Sequence, residues 1–212
     1  MKIRKKLLSL CAAFILLPTL LPFSVFADGG AAATPPRDED GYYLLDSAED
    51  LYWFSSYVNG RESNKDAVDA RLTENIDLNP GVSFIYDSET GKITVSKGEE
   101  SFHLGSGLKG TVLGALDDGE TAFKLNPWTP IGTAAKSYVG TFDGNGHTVN
   151  GVYVNDENIG YAGFFGLIGD INANNHYSGH VKNLTVGENS LILGYKCGGS
   201  GSTGGIAAMA MS

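Results

Sequence analysis

The residues best suited to chemistry lie between Asp143 and His147, where Asp-Gly-Asn-Gly-His sets a carboxylate four positions ahead of an imidazole. Such a segment could hold calcium or pair an acid with a base. A calcium loop of the EF-hand kind needs oxygen ligands at alternate positions and a distal Glu, which this stretch lacks. Asp and Asn next to Gly readily satisfy backbone groups in a tight turn, so Asp143 and Asn145 are expected to build a turn, with His147 exposed at a strand start. The other histidines, His103, His176 and His180, are expected in loops without metal-ligand spacing, and no His-Glu-x-x-His motif occurs. No catalytic, cofactor-binding or metal-binding residue is assigned, and no cofactor is expected.

Gly199-Ser-Gly-Ser-Thr-Gly204 fits the dinucleotide-binding glycine pattern and follows the strand-like Leu191-Ile-Leu193. A Rossmann unit also requires a helix, a second strand and an acid about 20 residues further on, and none fits here. A flexible loop is the expectation. Paired acids are the other route to activity, because many parallel β-helices cleave polysaccharides with carboxylates projecting from one face. Asp77, Asp143, Asp156 and Glu157 could project in this way, but sequence gives no separation between them. Tyr138, Tyr153, Tyr161 and Tyr195 could form a sugar-stacking stripe, although β propensity alone favours Tyr at such positions. No Gly-x-Ser-x-Gly elbow occurs, and Cys197 has no obvious activating base. Asn183-Leu-Thr185 matches a glycosylation acceptor, which matters only in a eukaryotic secretory route.

The elements that would position these residues begin at Gly41. Tyr42 to Leu45 reads as a strand, and Asp46-Ser47 offers an N-cap, with Ser47 and Asp50 at capping-box spacing. Leu51, Phe54 and Val58 recur at helical spacing, Trp53 and Tyr57 widen the apolar face, and Asn59-Gly60 is expected to stop the helix. Ala70 to Asn79 shows partial alternation through Leu72, Ile76 and Leu78 and reads as the first strands of a repeat. Residues 81–126 interrupt it as a projecting insertion, with a hairpin formed by Val82–Tyr86 and Lys92–Val95 around a Gly-containing turn.

From Trp128 onward, apolar runs of a few residues are separated by Gly and Asn. Val149, Val152 and Val154 recur as Val181, Leu184 and Val186 at an offset of 32. Strands this short cannot bury an apolar face alone, so each is expected to stack on a copy of itself. Removing the polar stretch Asn172–Ser178 leaves a coil of about 24 residues, which suits a parallel β-helix. Val149 would then lie on Val181, Val152 on Leu184 and Val154 on Val186. Glycines 144, 146, 151, 163, 166 and 169 would make its corners and positive backbone angles.

Residues 1–27 have the form of a secretory signal peptide. Lys2, Arg4, Lys5 and Lys6 precede an apolar run from Leu7 to Phe23, and cleavage is expected after Ala27. Pro18 and Pro22 break that run, which falls short of the roughly 20 residues of a membrane span. Losing those four basic residues from 15, against 24 acids, takes the net charge from −9 to −13. That acidity argues against nucleic acid as a partner. Cys11 leaves with the signal, so Cys197 is left without an intramolecular disulfide partner. Residues 28–40, rich in Gly, Ala, Pro and charge, are expected to form a mobile leader.

The ordered series Ser-Ala-Glu-Asp-Leu, Asn-Ile-Asp-Leu, Trp-Thr-Pro-Ile-Gly, Gly-Thr-Phe-Asp-Gly-Asn-Gly-His-Thr-Val, Gly-Phe-Phe-Gly-Leu-Ile-Gly and Val-Lys-Asn-Leu-Thr-Val resembles the start of bacterial surface proteins with GLUG-type repeats. It spans about Gly41 to Ala207, apart from the insertion. The resemblance implies an all-β chain: a right-handed parallel β-helix (solenoid), incomplete, with one N-terminal capping α-helix. It also implies cell-surface display, in some relatives ahead of the metallopeptidase of immunoglobulin-A-cleaving enzymes. The long insertion departs from the family, and the chain stops at Gly204–Ser212, where another coil is expected to begin, as in a fragment.

The domain organisation expected is therefore a signal peptide over 1–27, a leader over 28–40, a strand and capping helix over 41–60, and the start of a β-helix over 61–212 with the insertion at about 81–126. The function expected is noncatalytic display or adhesion, secreted or at the cell surface, with a glycan or a host or matrix protein as partner. No membrane contact is expected after signal removal, and self-association is expected through an open coil end. A polysaccharide-acting β-helix enzyme and the N-terminal scaffold of a larger secreted metallopeptidase are the alternatives.

Overall fold

A computed structural model describes residues 33–63, 65–104, 123–169, 178–194 and 201–211. The signal peptide with its cleavage point at Ala27, His176, Tyr195, Cys197 and the first glycine of the Gly199–Gly204 run lie outside the described residues. The described chain is mostly strand, with one short helix, and most of its sheets are parallel.

Strand β1 (Tyr43–Leu45) leads into helix α1 (Ala48–Gly60). Ser47 caps the helix, its hydroxyl accepting from the Asp50 amide at 3.2 Å, while the Asp50 carboxylate reaches back to the Asp46 amide at 3.2 Å. The shorter Asp thus completes a variant of the capping box one residue upstream of its usual target. Leu51, Phe54 and Val58 are buried, as the spacing predicts, whereas Gly60 continues the last turn and Arg61 makes the C-cap. Pro36 to Asp38, expected to be mobile, are bonded to β1. The Leu44 amide donates to Pro36 O at 2.9 Å, Arg37 bridges antiparallel to Tyr43, and the Arg37 guanidinium sits 4.0 Å from the Tyr43 ring centroid.

Strands β2 (Ala70–Leu72) and β3 (Ile76–Asp77) precede an antiparallel unit of β4 (Val82–Asp87), β5 (Lys92–Lys97) and β6 (Glu100–Leu104). The expected hairpin therefore carries a third strand, with a second turn at Gly98 (φ +63°) returning the chain. Two asparagines close the base of this insertion. Asn79 donates to Asn126 O (3.0 Å) and Gly151 O (2.6 Å) and accepts from the Asn126 amide (2.7 Å), while the Asn126 side chain donates to Leu78 O (3.1 Å).

The remaining strands fall into two sets of five. The first is β7 (Gly140–Asp143), β8 (Thr148–Asn150), β9 (Tyr153–Val154), β10 (Tyr161–Ala162) and β11 (Phe165–Ile168). The second is β12 (Gly179–Lys182), β13 (Thr185–Val186), β14 (Leu191–Ile192), β15 (Ser202–Thr203) and β16 (Ala207–Ala210). Each strand of the first set pairs in parallel with its counterpart in the second, in chain order. β2 and β3 lie on the other side of β7 and β8, and β1 on the other side of β2.

Side chains consequently stand in columns, but not at the expected register. Phe142 pairs with Val181, Val149 with Val186 and Val154 with Ile192, so the predicted stacking of Val149 on Val181 and Val154 on Val186 is wrong and the repeat is longer than 32. The connection between β12 and β13 is shorter than that between β7 and β8, and it reproduces the valine spacing of a different strand pair. Ser202–Thr203 is likewise a paired strand, where a flexible loop was expected, and Ala207–Ala210 pairs with β11. His103 and His180 lie on β6 and β12 rather than in loops.

Aromatic rings fill the centre. Phe142 meets Phe54, Phe164 and Phe165 at centroid distances of 5.9, 5.8 and 5.3 Å. Trp128 stacks on Phe164 at 5.0 Å and donates from Nε1 to Phe164 O at 3.0 Å. Gly132 shows why this packing needs glycine: its φ is +85°, and a Cβ there would stand 2.3 Å from Leu167 O. Of the six expected corner glycines, Gly146, Gly151 and Gly169 have positive φ. Gly144, Gly163 and Gly166 instead let backbones approach.

Truncating a buried ring leaves a cavity, whereas truncating the half-buried Val181 removes little burial. Phe142→Ala is expected to cost about 3–5 kcal/mol and Val181→Ala about 1 kcal/mol or less, measured as the difference in equilibrium urea unfolding.

Candidate functional site

The acid singled out by sequence sits in a row of charges built by strand register. Ala70, Phe142 and Val181 point to the core, so the next residue on each strand, Arg71, Asp143 or Lys182, points outward. Arg71 is in register with Asp143, and Asp143 with Lys182. Lys182 Nζ lies 3.3 Å and Arg71 Nε 3.8 Å from Asp143 Oδ2, and Arg71 Nη1 reaches Asp38 Oδ2 at 2.7 Å. The order along the row is Asp38, Arg71, Asp143, Lys182. Arg71 also stands 4.4 Å from the Tyr42 ring centroid.

The second carboxylate oxygen of Asp143 accepts from the Asn145 amide (2.9 Å) and from Asn183 Nδ2 (3.0 Å). The turn expected at Asp143–His147 is therefore present, with Asn145 at φ 53°, and Asn183 adopts the same left-handed angle in the following connection. Asn tolerates that conformation better than other side-chain-bearing residues. His147 is half-buried rather than exposed, its amide donating to Gly144 O at 2.7 Å. Burial raises the pKa of Asp143, but the hydrogen bonds from Asn183, the Asn145 amide and Lys182 outweigh it and hold the carboxyl below its ordinary value. A carboxylate so held is a weak proton donor near neutral pH.

The other acids are dispersed. Asp77 is exposed and accepts from the Asn79 amide at 2.9 Å, and Asp156 is exposed and accepts from the Asn158 amide at 2.8 Å, with exposed Glu157 beside it. Among the described residues, the tyrosines that could have formed a sugar-stacking stripe do not line up at the surface. Tyr138 is buried and donates to Val68 O at 2.9 Å, burial pushing its hydroxyl far up the pH scale, and Tyr153 is buried beneath Phe84, their rings stacked at 5.9 Å. Among the described members only Tyr161 remains half-exposed. It lines a groove of about 470 Å³ with Thr129, Pro130, Thr133, Asn158 and Ile159. That groove was not visible in the sequence, because its walls come from segments far apart in the chain.

Sequence reasoning also missed the partners of Asp143, although the alternation of Arg71, Asp143 and Lys182 would have flagged them once the register was known. Among the described residues, no group of three or more His, Cys, Asp and Glu side chains is placed to hold a metal ion, and no helix is long and apolar enough to cross a membrane.

No family model matches the chain, and no solved structure matches it. A stretch of 59 residues is 36% identical to a protein of Evansella cellulosilytica whose name describes a Gly-rich membrane protein. That stretch is 28% of this chain and 6% of the Evansella protein, so the chain spans a small part of its relative's length.

Because the folded carboxyl of Asp143 is depressed, it contributes stability at pH values above the ordinary carboxylate range. That contribution is lost as pH falls through the depressed value. Asp143→Asn is expected to flatten the fall in stability below about pH 4, without abolishing it, since Asp87 is also depressed by bonds from Thr90 and Glu89. Unfolding midpoints measured at stepped pH test this, and equal slopes for both proteins would refute it.

Proposed function

We propose that this chain is the beginning of a right-handed parallel β-helix, exported and held at a bacterial cell surface, where it serves display or adhesion rather than catalysis. The observation that carries this reading is the ordered pairing of β7 to β11 with β12 to β16. A chain that lays successive sets of strands on one another in the same order, with apolar columns between them, is behaving as a stack of repeats. In this reading α1 covers the first turn and residues 81–126 are a projection from the stack.

The commitment of Asp143 to cations and amides argues for a scaffold, since a polysaccharide-cleaving acid must reach its substrate. The basic, apolar N-terminal sequence supports export, and the Evansella name supports an association with the cell envelope. The much greater length of that relative favours a second reading as well, in which the chain is one part of a larger surface or secreted protein.

Adhesion to a glycan would use the groove at Tyr161. A half-exposed ring beside Thr129, Thr133 and Asn158 combines a stacking surface with hydrogen-bonding groups, the combination that sugars require. Expression of the whole reading frame in a bacterium is expected to give an envelope or medium fraction beginning at Asp28. That protein should bind on an array of glycans and matrix proteins, and Tyr161→Ala should weaken glycan binding about tenfold. Cytoplasmic retention with Met1 intact, or release of reducing ends from polysaccharide that Asp143→Ala abolishes, would overturn the proposal.

A further inference from the structure

Among the described residues, no strand other than β5 pairs with β4. The free edge of β4 belongs to the inserted antiparallel sheet, so a further strand added to the order β1-β2-β7-β12 would not cover it. Strand edges are ordinarily guarded by charge, proline or a covering segment. β1 has such a cover in Pro36 and Arg37, and β6, the opposite edge of the inserted sheet, carries Glu100 and His103. Val82 to Tyr86 has neither charge nor proline. The two most exposed large apolar side chains among the described residues are adjacent on this strand, Ile85 at 58% and Tyr86 at 66%.

Alternation puts Val82, Phe84 and Tyr86 on the face shared with Ile93 and Val95, and Ser83, Ile85 and Asp87 on the other. Ile85 is out of place on that second face. Its register neighbours are Thr94 and His103, Ser83 beside it bonds to Ser96 at 2.8 Å, and Ile85 joins neither apolar cluster. The order of residue types identifies what would cover it. Read from either end, Ser83-Phe-Ile-Tyr-Asp87 runs polar, aromatic, Ile, aromatic, polar. A second copy laid antiparallel about Ile85 would meet its like at every position: Ile85 against Ile85, each Phe84 against the Tyr86 of the other copy, and each Ser83 against an Asp87. No charge would oppose a like charge, a condition that matters in a chain with 24 acids. Shifting the register by two residues, which keeps the same faces together, would set Ile85 against Ser83 or Asp87 and lose the match.

We infer that β4 is a self-association edge, at which two copies of this chain pair β4 to β4, antiparallel and two-fold symmetric about Ile85, joining their three-stranded sheets into one. The same patch serves on both copies, so this contact closes at two. Antiparallel order brings Tyr86, near the tip of one hairpin, beside Phe84 of the second copy, the residue whose ring stacks on Tyr153 at 5.9 Å. The inference goes beyond the adhesion reading, since it involves neither export nor the groove at Tyr161.

The test is sedimentation equilibrium of the chain from Asp28 between about 1 and 100 μM. A monomer–dimer equilibrium is expected. Ile85→Lys should weaken it about tenfold or more by setting two like charges opposite each other. Urea unfolding of that variant at the lowest concentration should match the unmodified chain, because the side chain it replaces is exposed and joins no core. Cross-linking reads the register independently. In a Cys197→Ser background, Ile85→Cys should be joined by a thiol reagent spanning about 5 Å, whereas Ser83→Cys, about 14 Å from its counterpart in this register, should not. A chain that stays monomeric at the highest concentration, or a dimer that Ile85→Lys leaves as tight, would overturn the inference. So would cross-linking that fails at Ile85 or succeeds at Ser83.

Discussion

Parallel pairing between strands of two to four residues is the interaction on which the rest of the structure depends. A segment such as Thr185–Val186 makes too few hydrogen bonds and buries too little surface to offset the entropy of ordering it alone. It persists because Val149 in the adjacent strand offers it both a hydrogen-bonded edge and an apolar surface. The same holds in the opposite direction, so order is shared along each column rather than owned by any strand. Helix α1 enters the same economy: Leu51, Phe54 and Val58 join the apolar cluster that contains Phe142 and Phe165.

That shared dependence explains what the sequence revealed. Helix α1 was legible to within a residue, because its cap and apolar spacing are local properties of Ser47 to Val58. The turn at Asp143 was legible for the same reason, the Asn145 amide being satisfied by a carboxylate two residues away. Register was not. It is fixed by which distant strand a residue pairs with, and Val149-x-x-Val-x-Val154 resembles Val181-x-x-Leu-x-Val186 although the two are not aligned in space. The shortened connection after Lys182 moves the pattern relative to the backbone. Burial of Tyr138 and Tyr153 was hidden likewise, since the first depends on Phe54 and Phe165 and the second on Phe84 from the insertion.

Once the register is set, the outward residues follow from alternation. Asp143 then falls between Arg71 and Lys182, and its oxygens are taken by neighbours before any ligand arrives. The row also discriminates between registers. A slip of one residue would turn Arg71, Asp143 and Lys182 toward the apolar columns and Ala70, Phe142 and Val181 toward water. Such ion pairs need not add much stability to the right register, but they raise the cost of the wrong alignment in sheets whose strands are too short to specify it by hydrogen bonds alone.

The insertion shows how these parallel sheets can accept additional chain without losing register. Asn79 and Asn126 flank it and are reciprocally bonded, and Asn79 also binds Gly151 O in the neighbouring connection. Gly151, at φ +68°, brings its backbone so close that a Cβ would stand 2.5 Å from the Asn79 amide nitrogen. The two ends of the interruption are thereby fixed at one point beside Gly151, and the length between them adds only a slowly growing loop entropy. The inserted sheet is not left free, because Val82, Ile93 and Val95 form their own small core, with Leu191 and Leu193 packed against it. It therefore packs against a strand that lies later in the chain, β14, which is itself paired with β9.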